Sequence, residues 1–163
     1  MIDRRLVQKS SLKTELIASL KSELAIAEQA FANTRAAATH EEAKPENDKD
    51  TRALEQSYLA RGQAQRVEEL RGAVADVETM QLRDANDGRP IGVGLVVDVS
   101  GDEKTASYFL APHGGGARLA SGAVQVVTPK SPLGRAFLGK TEGDETEVIL
   151  AGKSRILSID RVW

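Results

Sequence analysis

Arg83-Asp-Ala-Asn-Asp-Gly-Arg-Pro90 is the stretch on which the reading of this chain turns. It is polar, it carries both a glycine and a proline, and nothing in it repeats with a helical or strand period, so it reads as a linker over 83–90. The composition differs sharply on its two sides. Residues 1–82 hold two of the 14 glycines and one of the five prolines, and are rich in Ala, Leu, Glu and Gln. Everything after them holds the rest of the breakers, together with Val-rich runs. Helices are therefore expected over 1–82, and strands and turns over 91–163.

Working back from the linker, Ala53, Gln56, Ala60, Gln63, Val67, Leu70, Val74 and Val77 recur at alternating spacings of three and four. So do Ile17, Leu20, Leu24, Ala27, Phe31, Thr34 and Ala38. This is the seam of a helix that packs along another helix. Pro45 stands between the two runs, where it would remove a hydrogen bond from a continuous helix, so the chain turns back there and 1–82 becomes an antiparallel coiled-coil hairpin. The seam is graded: Leu, Phe and Val are expected to pack near the two ends of the hairpin segment, and small and polar residues take over toward the turn. At 1.5 Å per residue, Ser11 to Thr39 spans about 43 Å.

Working forward, 91–99, 104–111, 123–127, 145–151 and 154–162 read as strands, punctuated by Gly101-Asp102, Gly114-Gly-Gly116, Gly143-Asp144 and Gly152-Lys153. One helix interrupts them. In Lys130-Ser-Pro-Leu-Gly-Arg-Ala-Phe-Leu-Gly-Lys140, Ser131 suits an N-cap, Pro132 the first helical position and Gly139 the stop. The fold class is thus α+β: a helical hairpin followed by a small antiparallel β domain with one short helix.

Composition excludes several functions. With no cysteine there is no disulfide framework, thiolate metal site or thiol nucleophile. The balance of 22 basic against 24 acidic side chains gives no long-range pull on phosphate. No apolar run approaches the ~20 residues that cross a bilayer, and the charged start leads into no signal core, so a cytoplasmic location without a membrane partner is the expectation.

The chemically unusual place is 41–50, Glu-Glu-Ala-Lys-Pro-Glu-Asn-Asp-Lys-Asp, with five carboxylates and two lysines at the turn. Glu42, Glu46, Asp48 and Asp50 are candidates to meet a hard cation such as Mg²⁺. The alternative is an acidic loop whose Asp48 and Asp50 face the positive end of the second helix dipole. Arg52, Arg61 and Arg66 are candidates for a track along a nucleic-acid backbone, or else a solvated helix face. Gly114-Gly-Gly116 lacks the Lys-Ser/Thr of a phosphate loop and reads as a flexible loop. His40 and His113 fall in different halves and read as solvated surface, and Ser57 has no orienting acid that would make it a nucleophile.

Glu46-Asn47 in the turn, the Arg-containing Thr51 to Arg66 segment and, above all, Thr128-Pro-Lys-Ser-Pro-Leu-Gly-Arg-Ala-Phe-Leu-Gly-Lys-Thr-Glu-Gly-Asp-Glu145 resemble the Gre-type bacterial transcription elongation factors. The resemblance runs from about residue 10 onward. It implies a coiled-coil hairpin followed by an FKBP-like domain, with bacterial RNA polymerase as partner. In that family the C-terminal domain docks on the rim of the polymerase's secondary channel, which here points to Lys130, Ser131, Pro132, Leu133 and Arg135. The hairpin enters the channel, and its acidic end holds a Mg²⁺ and a water at the polymerase's active centre, so that the polymerase hydrolyses backtracked RNA. The protein would then be no enzyme, would carry no cofactor of its own, would act as a monomer, and would reach the 3′ end of the transcript only indirectly.

One position departs from the pattern. Cleavage-active members carry an Asp three residues before the Glu of the Glu-Asn pair, and this sequence has Ala43 there. With one carboxylate fewer for the metal, the resemblance implies a factor that occupies the channel and modulates the polymerase, and leaves transcript cleavage open. Two other readings remain: a plain coiled-coil adaptor, and a prolyl isomerase that would have to line a pocket with Tyr108, Phe109, Phe137 and Trp163.

Overall fold

The structure, a computed structural model, describes residues 4–42, 51–85, 88–102 and 104–163, with side chains in the first helix from 8 to 40. Two long helices, α1 (Arg4–Glu42) and α2 (Thr51–Thr79), precede β1 (Val96–Gly101), β2 (Lys104–Leu110), β3 (Arg118–Leu119), β4 (Val124–Val127), α3 (Pro132–Phe137), β5 (Glu145–Leu150) and β6 (Lys153–Val162). The expected order of a helical hairpin, then a sheet with a short helix, is what the chain adopts. The described residues up to Ala18 and those from Ala75 to Trp163 form one compact unit; Ser19–Val74 form a second.

In the hairpin unit the burial follows the expected seam. Leu24, Ala27, Phe31, Thr34 and Ala38 are half-buried on α1, as are Gln56, Ala60 and Gln63 on α2, whereas Val67, Leu70 and Val74 are buried. Ala53 is exposed. The gradation is therefore physical: Val67, Leu70 and Val74 close the seam at one end, and where Ala, Thr and Gln enter it, even Leu24 and Phe31 are only half-buried. Two cross-helix ion pairs, Arg66 with Glu23 (3.4 Å) and Arg71 with Glu28 (2.8 Å), accompany it. On each helix the partners are five residues apart, about 140° around the axis, so the pairs flank the seam on opposite sides.

The other unit holds a six-stranded sheet of order β3-β4-β2-β1-β6-β5. Four of its pairings are antiparallel, as expected; β2 with β4 is parallel, so the sheet is mixed. The reason lies in the connection. Residues 111–123 carry the chain back past the end of β2, which lets β4 enter in the same direction, and a parallel pair needs a crossover of about this length. Sequence patterning missed β3, a two-residue strand that folds back on β4 through a turn in which Ala120, Ser121 and Gly122 all have positive φ.

The first strand starts later than its Val-rich pattern suggests. Ile91 instead exchanges backbone bonds with the exit of α3, its N–H donating to the Lys140 carbonyl (2.8 Å) and its carbonyl accepting from Gly139 N–H (3.2 Å). Gly94, at φ +90°, lies so close to Gln81 that a Cβ there would stand 2.3 Å from the Gln81 carbonyl oxygen.

One face of the sheet carries Val97, Val99, Leu110, Val148, Leu157 and Ile159, and α3 covers it with Phe137, Leu133 and Ala136. On the opposite face, Val96, Phe109 and Val126 line up across three strands, all fully buried.

Candidate functional site

The segment after β4 is built by its own backbone. The Ser131 hydroxyl accepts from Gly134 N–H (3.0 Å) and donates to the Thr128 carbonyl (2.8 Å), which also takes Ser131 N–H (3.0 Å). Ser131 is thus the N-cap of α3 and Pro132 opens its first turn, as expected from their order. Gly134 packs so tightly on Thr128 that no side chain fits between them. Leu133 is half-buried against the core. Of the five residues singled out for docking, Lys130, Pro132 and Arg135 are exposed, whereas Ser131 and Leu133 spend their side chains on holding the segment in shape. The exposed set, with Leu138 beside it, is basic and apolar.

A second constellation, which the sequence did not announce, surrounds the start of α1. Lys9 is 1% exposed, and its ammonium donates to the Arg83 carbonyl. Lys13 donates to the carbonyls of Glu78 (2.9 Å) and Met80 (2.7 Å). No basic residue lies in the last turn of α2, so α1 brings Lys13 to the negative end of that helix, where the terminal carbonyls lack intrahelical partners. Glu15 accepts from Ala120 N–H (2.9 Å) and so holds the left-handed turn before β4. Leu16, fully buried, fills the space a side chain on Gly114 would need.

The glycine loop is therefore a seat for Leu16, where the sequence suggested only flexibility. Nor is His113 merely solvated: its Nε2 lies 2.7 Å from Asp76 Oδ2. The signal for this cluster was present in part. Lys9, Leu12, Leu16 and Leu20 are in phase on the helix, and their burial shows that the seam at this end passes through Leu16, leaving Ile17 half-buried.

Glu46, Asn47, Asp48 and Asp50, with Ala43 and Pro45, lie outside the described residues; Glu42 ends α1, and its side chain is not described. The arginines of α2 do not make one track. The helix is uninterrupted from Thr51 to Thr79, so the nine residues from Arg52 to Arg61 turn the chain by about 900°, onto opposite sides. Arg66 is committed to Glu23 and to Glu69 (3.9 Å).

The aromatic rings do not converge. Phe109 and Phe137 are fully buried, the half-buried Tyr108 packs tilted at 42° against Phe137 with 5.5 Å between centroids, and Phe109 points to the other face of the sheet from Tyr108. Trp163 donates its indole N–H to Asp98 (2.9 Å), which also accepts from the Ser107 hydroxyl (2.6 Å). Among the described residues no group of three or more metal-ligating side chains is clustered, and no helix is long and apolar enough to cross a membrane.

No family profile matches the chain. It is 33% identical over 91 residues to the transcription elongation factor GreA of Vibrio cholerae, a stretch that is 55% of this chain and 52% of that protein. The chain thus spans about half the length of the curated relative it matches. Among solved structures, the GreA factor homolog 1 (Gfh1) of Thermus thermophilus aligns at a TM-score of 0.40 with 17% identity, over 90% of this chain and 94% of that one. A GreA/GreB factor from Nitrosomonas europaea aligns at 0.37 with 16% identity, over 69% and 94%. The sequence match to GreA supports the Gre-type resemblance carried by the residues themselves.

Proposed function

We propose that this chain is a Gre-type transcription elongation factor that binds bacterial RNA polymerase at the rim of the secondary channel and modulates elongation by occupying that channel. The observation that carries this reading is the 33% identity to GreA over 91 residues. The exposed Lys130, Pro132 and Arg135 support it, since a rigid basic and apolar ledge suits an acidic, partly apolar partner surface. The acidic residues of 41–50 would then be the part presented to the polymerase's active centre. The Mg²⁺ there belongs to the polymerase and would supply Lewis-acid activation of water.

Ala43 leaves this turn one carboxylate short of the cleavage-active pattern, which favours occupation of the channel without stimulated cleavage. The test is a stalled, backtracked elongation complex given the wild-type chain or Ala43→Asp. Binding to the polymerase that GreA displaces, no added cleavage with wild type, and cleavage gained with Ala43→Asp are the expected results. Failure to bind the polymerase at micromolar concentration would overturn the assignment.

A further inference from the structure

Strand β5 ends the sheet, and its outer side pairs with no other strand among the described residues. Which of its backbone groups face outward follows from the ladder. Ile159 N–H donates to the Asp144 carbonyl (2.8 Å), and Glu145 stands opposite Ser158. Hydrogen-bonded pairs alternate in an antiparallel ladder, so Thr146, Val148 and Leu150 bond to β6 while Glu145, Glu147 and Ile149 turn their N–H and C=O groups to the open edge. The two-residue turn at Ala151 and Gly152, both at positive φ, closes the hairpin on the pair Leu150 and Lys153 and fixes the same parity.

The side chains of these three residues share the sheet face away from α3. Ile149 is 67% exposed, and Ile156, directly across from Glu147 and diagonal to Ile149, is 62% exposed. Two β-branched apolar side chains thus lie open beside an open edge. The carboxylates next to them are held in place: the Ser154 hydroxyl donates to Glu147, and the Ser158 hydroxyl reaches Glu145 at 3.5 Å.

We infer that the β5 edge is a docking site for an extended, basic segment of a partner protein, which adds to the sheet as a seventh strand. The charges select the occupant. A second copy of this chain would bring Glu145 and Glu147 against its own glutamates or against Ile149, because the outward face of β5 carries no basic residue; like charges directly opposite one another repel. A strand that sets an apolar residue against Ile149 and basic residues against Glu147 and Glu145 satisfies all three, and its main chain takes the unpaired N–H and C=O groups. The inference stands apart from the proposed function, since it uses neither the acidic turn nor α3.

The probe is the capped peptide Thr-Val-Thr-Lys-Thr-Lys-Thr, titrated into the full chain by amide NMR, beside the same peptide with Glu in place of Lys and a version N-methylated on alternate residues. The expected result is saturable shifts at 145–150 with the Lys peptide, at least about tenfold weaker binding of the Glu peptide, and none of the N-methylated one. In the double variant Glu145→Lys, Glu147→Lys, whose substitutions are at exposed positions, the preference between the Lys and Glu peptides should reverse. No shift at 145–150 with about 2 mM Lys peptide, equal binding of both charges, equal binding of the N-methylated peptide, or self-association of the chain through β5 would each overturn the inference.

Discussion

A Cβ on Gly134 would stand 1.9 Å from the carbonyl oxygen of Thr128. The first turn of α3 is thereby pressed onto the exit of β4, and that contact, with the Ser131 cap, fixes where Lys130, Pro132 and Arg135 stand.

Gly134→Ala is expected to destabilise the chain by about 3 kcal/mol, since the clash is with backbone and no flexible side chain can yield. Urea unfolding measures it. A change below about 1 kcal/mol would mean that α3 can lift off without cost.

Ser131 and Arg135 should separate structure from recognition. Ser131→Ala removes the cap and should cost about 1 kcal/mol in unfolding free energy. Arg135→Glu, at an exposed position, should leave stability within about 0.5 kcal/mol and yet weaken binding to the polymerase, with the loss growing smaller as salt is added. Equal polymerase affinity for wild type and Arg135→Glu would remove α3 from the proposed docking surface.

Leu16→Ala should cost about 2–5 kcal/mol, because it opens a void against Gly114 in the middle of the base of the hairpin. Lys13→Met should cost less, about 1.5 kcal/mol, and hydrogen exchange should rise at the C-terminal end of α2, where the carbonyls of Glu78 and Met80 lose their donor.

Asp144 gives a pH dependence with a definite sign. Its carboxylate accepts from Thr141 N–H (2.8 Å) and, secondly, from the Thr141 hydroxyl (3.1 Å), and these bonds hold its pKa below the ordinary aspartate value of 3.8. Both bonds favour the charged form, so their contribution is present above the ordinary value and is lost as pH falls through the depressed one. A carboxyl carbon titration by NMR should place the Asp144 midpoint below 3.8; a midpoint at or above it would mean the turn before β5 does not persist in solution.

What could be read in advance followed from local rules. The spacings through Leu24, Phe31, Val67 and Leu70 give the seam because exposure around a helix repeats every 3.6 residues, and Ser131-Pro132 gives the start of α3 because a cap and a fixed φ act within one turn. Partners distant in sequence were harder. That β4 lies parallel to β2, that Lys9 reaches Arg83 and that His113 meets Asp76 all depend on how separate elements come together, and side-chain period says nothing of it. The spread of Arg52 and Arg61 around α2 was, by contrast, legible from residue arithmetic alone once the segment was taken as a helix.

The thinning of the seam has a dynamic consequence. With Gln63 Oε1 buried without a partner and only half-buried side chains from Leu24 to Ala38, little free energy is released by closing that stretch. Amide protection should therefore decay stepwise from Leu20 toward Ala38, and from Val67 back toward Gln56, as partial openings far below the global unfolding threshold. The part of the hairpin nearest its turn would then behave as a separate, weakly cooperative foldon, able to adjust its contour while the zone around Leu70 and Val74 stays closed.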